Sequence, residues 1–139
     1  MPLSYYATRG GSLVYSLGHG TITDEDILSH TCLLAEDELI AGGVRELVDL
    51  RSVSGVRVSR DGFTRIIGHD KLYRDRYVGW RCAIVAASGS LFGWSKTFTT
   101  LRRMLDAPGE MKVFRSIEKA CEWLGVDEED IIPHGPSAA

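Results

Sequence analysis

Cys82-Ala83-Ile84-Val85-Ala86-Ala87 is an unbroken run of small and branched apolar residues, bounded by Arg81 and Ser88. A short run without a polar alternate suits a central strand covered on both faces. Ser88-Gly89-Ser90 ends it. Leu91, Trp94, Phe98, Leu101 and Leu105 then recur at helical spacing, which leaves Lys96, Arg102 and Arg103 for solvent. Asp106-Ala107-Pro108-Gly109 stops that helix, because proline cannot continue it and glycine relaxes the turn. Met111 to Arg115 reads as a second short strand, and Ser116 offers a cap to a second helix. In that helix Ile117, Ala120, Cys121 and Leu124 share one apolar face, and Gly125 supplies its end. Strand, helix, strand and helix therefore follow one another between Arg81 and Gly125 with almost no slack.

Upstream, the pattern predicts a β-hairpin from Leu3 to Leu17, in which Leu3, Tyr5 and Ala7 alternate with more polar neighbours, as do Leu13, Tyr15 and Leu17. Gly18-His19-Gly20 is expected to release the chain from the sheet. Thr23, followed by three acids, suits a helix start, and that helix should run to about Asp37. Leu47-Val48-Asp49-Leu50, within Val44 to Val53, is a strand candidate near the sheet centre. A loop with Ser52, Ser54 and Gly55 is expected next. Ser59 then caps a helix in which Phe63, Ile66 and Ile67 share a face, with fraying near Gly68. His69 to Gly79 shows no clear period and reads as a partly helical connection.

A chain of 139 residues is the size of one domain, with 44% hydrophobic and 25% charged residues. Its longest apolar run is far too short for a membrane span. Met1-Pro2-Leu3-Ser4-Tyr5 lacks the basic-then-apolar pattern of a secretory signal, so a cytoplasmic location is expected. Cys32, Cys82 and Cys121 are odd in number and far apart, and each falls inside an apolar pattern, which fits small core residues better than disulfides or a zinc site. Residues 45–81 are locally basic, with nine basic and five acidic residues. Such a patch suits an acidic partner or an anion, or simply a solvated helix face, since Asp61, Asp70 and Asp75 interleave with it.

Catalytic and metal-binding patterns are not found. Gly89 to Thr97 lies where a phosphate loop would, but Trp94 and Ser95 separate Gly93 from Lys96, and a nucleotide loop needs its lysine directly after the last glycine. His19, His30, His69 and His134 have no metal-ligand spacing, and none stands near a cysteine in the sequence. His69-Asp70 is drawable as a catalytic pair, although adjacent side chains usually point apart. No cofactor, catalytic residue or metal ligand is assigned, and nucleic acid is not an expected partner.

Hairpin, helix, strand, helix, strand, helix, strand, helix is the order of a mixed α/β fold: a single mixed β-sheet of about five strands, with about four helices packed mainly on one face. The chain resembles the STAS-like superfamily of sporulation anti-sigma-factor antagonists, particularly the uncharacterised bacterial branch described as STAS/SEC14-like. Cys82-Ala83-Ile84-Val85, Phe92-Gly93-Trp94, Val113-Phe114-Arg115 and Glu118-Lys119-Ala120-Cys121-Glu122-Trp123-Leu124-Gly125 carry the resemblance. It implies a STAS-like domain over residues 1–125, followed by an acidic tail over 126–139 whose end is expected to be disordered although Ile131 and Ile132 are able to dock. It also implies a non-enzymatic regulatory module that binds an unknown protein partner or pairs as a homodimer. The phospho-acceptor of such antagonists matches Ser59 by position, where an ordinary helix cap is the other reading; the family's acidic residue and paired serines are replaced by Arg57-Val58-Ser59-Arg60. SEC14-like kinship implies an alternative, a carrier or sensor for a small apolar or anionic ligand held between helices and sheet. Trp80, Phe92, Trp94, Phe98 and Trp123 read mostly as core or dimer contacts, or in part as the lining of such a cavity, and Trp80, Phe92 and Trp94 are the candidate ligand or partner surface.

Overall fold

The expected hairpin forms between β1 (Leu3–Thr8) and β2 (Leu13–Thr23), paired antiparallel from Leu3 opposite Gly18 to Thr8 opposite Leu13. Its turn depends on Gly11, whose φ of 85° favours glycine and whose missing side chain would otherwise lie 1.8 Å from the Leu39 carbonyl oxygen. The computed structural model describes residues 2–133, so His134 and the expected disorder at the end of the tail lie outside the described residues.

β2 does not stop at Leu17, and Gly18-His19-Gly20 does not release the chain. The strand continues to Thr23 alongside β3 (Arg45–Arg57), which likewise runs straight through the expected loop at Ser52, Ser54 and Gly55. The two pair in parallel from Leu13 opposite Arg45 to Thr23 opposite Arg57, with shifts in register at Leu17/His19 and Gly20/Thr21. Each strand satisfies the other's backbone groups, so turn-prone residues are tolerated within the ribbon. Ile22 is buried on it, and Val53 and Val56 pack against the core.

β4 (Arg81–Val85) and β5 (Glu110–Phe114) extend the sheet in the order β1-β2-β3-β4-β5, parallel from β2 onward. Three crossovers therefore step in the same direction. Because such crossovers are right-handed, their helices must all fall on one face. α1 (Asp24–Glu36), α2 (Arg60–Leu72) and α3 (Gly89–Met104) do so, and they cover Val14, Leu50, Cys82, Ile84 and Val113. The opposite face, with Leu13, Tyr15, Leu47, Ala83 and Val85, is closed by α4 (Ile117–Leu124) and the single turn α5 (Glu128–Ile131). One mixed sheet with three of its four longer helices on one side is the expected fold.

Three further details depart from the sequence reading. Leu105 lies outside, whereas Arg102 of α3 faces the protein interior and not solvent. Its burial is stabilised by Asp70 and by the Pro108 carbonyl, which together occupy its guanidinium. α2 does not fray near Gly68 but runs on to Leu72, and with the short 3-10 turn over Arg74–Tyr77 it makes the partly helical connection expected from His69 to Gly79. Cys82 and Cys121 are core residues, but Cys32 is only partly buried.

Ser116 caps α4 through the Lys119 amide, and Gly125 closes it in the left-handed conformation at φ 72°. α5 then seats Ile131 among Leu13, Tyr15 and Leu124 with no residual exposure. Ile131→Ala should therefore lower the unfolding free energy by about 2–5 kcal/mol, read from urea denaturation, whereas an uncovered tail would give no measurable change.

Candidate functional site

Side chains alternate along a strand, so Glu46, Val48 and Leu50 of β3, in phase with Val44 just before it, all point toward the α1–α3 layer. Three are aliphatic and the fourth is a carboxylate with only 5% of its surface exposed. Burying that charge is tolerable only if donors surround it. Ser16 of β2 donates its hydroxyl to Glu46 Oε2 at 2.7 Å, and the Trp80 indole donates to Oε1 at 3.1 Å. His30 of α1 completes the set, with Nε2 at 3.4 Å from Oε2. Burial alone would push the Glu46 carboxyl up, but His30, Ser16 and Trp80 together outweigh it and hold the group below the ordinary glutamate value of 4.5.

A second buried charge pair stands nearby. Asp70 of α2 meets Arg102 of α3, and Arg102 also donates to the Pro108 carbonyl at 2.7 Å. Burial pushes the Asp70 carboxyl up, against the pull of Arg102. Tyr77 and Trp80 pack ring against ring at 4.7 Å between the two charged groups' elements. Together these residues border a cavity of about 100 Å³ between the helical layer and the sheet, whose other walls include Leu3, Ile22, Val56, Ile66 and Met111. It is an apolar slot with fixed charges at its margin.

The aromatic candidates separate on this frame. Trp80 is buried at 3% exposure and lines the cavity, so it is not a surface residue. Trp94 lines the same cavity and is stacked on Phe98 at 5.5 Å, with Phe63 of α2 at 5.7 Å. Phe92 is directed elsewhere, beneath the Arg115 guanidinium at 3.9 Å. Ser59 is exposed at the start of α2: its hydroxyl accepts from the Gly62 amide at 2.9 Å and donates to Asp24 Oδ2 at 3.2 Å. Gly89 to Thr97 forms no phosphate loop, since Ser88 caps α3 and the helix begins at Gly89.

A family model described as SpoIIAA-like matches residues 14–125. The chain belongs to the SpoIIAA-like family. An uncharacterized protein with a SpoIIAA-like fold from Shewanella loihica PV-4 is similar in structure, with a TM-score of 0.54 at 18% identity over 88% of this chain and 91% of that one. That likeness concerns the fold alone. No protein of curated function matches the sequence. SpoIIAA-like, that is STAS-like, domains are commonly regulatory or binding modules and generally non-enzymatic. Among the described residues no three His, Cys, Asp or Glu side chains converge to hold a metal ion, and no helix is long and apolar enough to cross a membrane.

Sequence reasoning missed Glu46, His30, Asp70 and Arg102 as interior residues. The signal for Glu46 was present: it shares the inward phase of Val44, Val48 and Leu50, and a charge in that phase demands a partner. Because its folded carboxyl titrates below the ordinary value, its contribution is fully present above pH 4.5 and is lost as the pH falls through the folded pKa. Glu46→Gln should accordingly cost about 1–3 kcal/mol at neutral pH, with the difference from wild type narrowing in acid, as followed by urea midpoints across that range.

Proposed function

We propose that this SpoIIAA-like chain is a non-enzymatic, cytoplasmic binding module that docks a protein partner or a second copy of itself. The reading is carried by the large apolar side chains at the end of the sheet where β3, β4 and β5 begin. Leu39, Leu72, Val78 and Met104 are 79%, 84%, 67% and 74% exposed. Isolated exposed leucines are ordinary, but these four belong to neighbouring segments that lead into three adjacent strands. Arg76 ties the second segment to the Asp37 carbonyl of the first, and Arg74 donates to the Asp106 carbonyl of the third at 2.9 Å. Lys71, Arg74 and Arg103 lie in the same segments as Glu38, Asp75 and Asp106, so an apolar partner surface with a border of mixed charge fits this end.

Sedimentation equilibrium and affinity capture from host extract test this directly. Leu72→Asp combined with Met104→Asp should weaken self-association or capture at least about tenfold while leaving the fold intact. A chain that stays monomeric and captures nothing, or whose association ignores both changes, sinks the reading.

The cavity supports the second reading, a carrier or sensor for a small, largely apolar ligand. About 100 Å³ suits a few heavy atoms, and anything larger requires the α1–α3 layer to lift. Native mass spectrometry of freshly purified chain should then retain a small-molecule adduct that Ile66→Trp, which fills the slot, abolishes.

Within the first reading Ser59 is the regulatory position. A phosphate on it would place nearly two negative charges against Asp24 while sitting at the α2 N-terminus beside Arg57 and Arg60. Docking of α1 against α2 would change, because Gly62 and Asp24 already touch too closely for a side chain at position 62. Peptide mapping after incubation with host extract and ATP checks this; no phosphate on Ser59 under any growth condition removes the idea.

A further inference from the structure

On the seam between α1 and α2, outside the cavity, a thiol meets an imidazole. Cys32 Sγ lies 3.2 Å from His69 Nε2. The other ring nitrogen, Nδ1, faces Asp70 Oδ1 at 3.7 Å, and neither of those two buried atoms makes a hydrogen bond. Asp70 is 3% exposed and is anchored from behind by Arg102 through its second oxygen. The ring is also clamped from its flank: Tyr73, one helical turn on, packs over it with centroids 4.7 Å apart, and the Tyr73 hydroxyl reaches Glu36, one turn beyond Cys32, at 3.4 Å. Thiol, imidazole and buried carboxylate thus follow one another at 3.2 and 3.7 Å, the order of a nucleophile, its base and a charged group behind the base.

We propose that Cys32 is a site of covalent modification by small disulfides, with His69 as the base that takes its proton. In that step the thiol proton passes to His69 Nε2 as Sγ attacks one sulfur of the disulfide. A new S–S bond forms to Cys32, the original S–S bond breaks, and the departing thiolate collects the proton from the imidazolium. Cys32 is oxidised to a mixed disulfide and one equivalent of small thiol is released. The other two cysteines are built differently, being buried, and burial pushes both thiols up. They serve as internal controls. The adduct would stand between α1 and α2, one residue from Thr31 and two from His30, both of which line the cavity.

Dithiodipyridine, a neutral disulfide whose released thiopyridone is read by absorbance, tests the pair. In the native chain one thiol, mapped to Cys32, should react at least about tenfold faster than the thiols of the same chain unfolded in urea. His69→Gln, with its fold checked by circular dichroism, should remove that excess and leave the rate in urea unchanged. Native Cys32 reacting no faster than the unfolded thiols overturns the proposal, and so does a folded His69→Gln chain with the wild-type rate. If the variant does not fold, the native-to-unfolded comparison on the wild type still decides.

Discussion

Glu46 lies at the start of β3 with almost no exposure to water, and its three donors come from three separate elements. Ser16 belongs to β2, His30 to α1, and Trp80 to the segment entering β4. A charge held this way fixes relationships and not merely contacts. If β2 slipped by one residue, Ser16 would turn to the other face. If α1 rotated, His30 would leave the carboxylate with an unmet demand. Hydrophobic packing alone tolerates several arrangements of similar volume, whereas a buried carboxylate accepts few.

A comparable arrangement occurs on the opposite face with a looser outcome. Asp49 accepts from the Tyr15 hydroxyl at 2.6 Å and from Arg51 at 2.8 and 2.9 Å. Arg51 reaches it from solvent, with about half of its own side chain exposed while Asp49 is buried. Both carboxylates are buried and differ in their partners: Glu46 is held by neutral and ring donors inside, while Asp49 takes an inner hydroxyl and a cation that reaches in from the surface.

Much of this was legible before any coordinates. The run from Cys82 to Ala87, the helical stripe after it and the Ser116 to Gly125 helix all appear where the sequence puts them, because each carries its own local signal. What escaped were features that exist only across elements. Arg102 looked like a solvent residue because nothing in its own helix reveals Asp70 waiting on α2. Cys32 and His69 are 37 positions apart and meet only when α1 and α2 pack. The long β2–β3 ribbon was hidden by Gly18, Gly20, Ser52 and Gly55, residues that usually mark turns but here extend because each strand supplies the other's hydrogen bonds.

The strand order, each new strand laid beside the one made just before it, has a consequence for how the chain comes together. Every crossover closes a short loop, so the helical side is able to assemble unit by unit as the polypeptide lengthens. The other side has no such luxury. Leu13 and Tyr15, among the earliest residues to enter the sheet, stay bare until Leu124 and Ile131 arrive more than a hundred positions later. The first strands are therefore finished by the last helix, and a ribosome still holding that helix holds a half-clothed sheet.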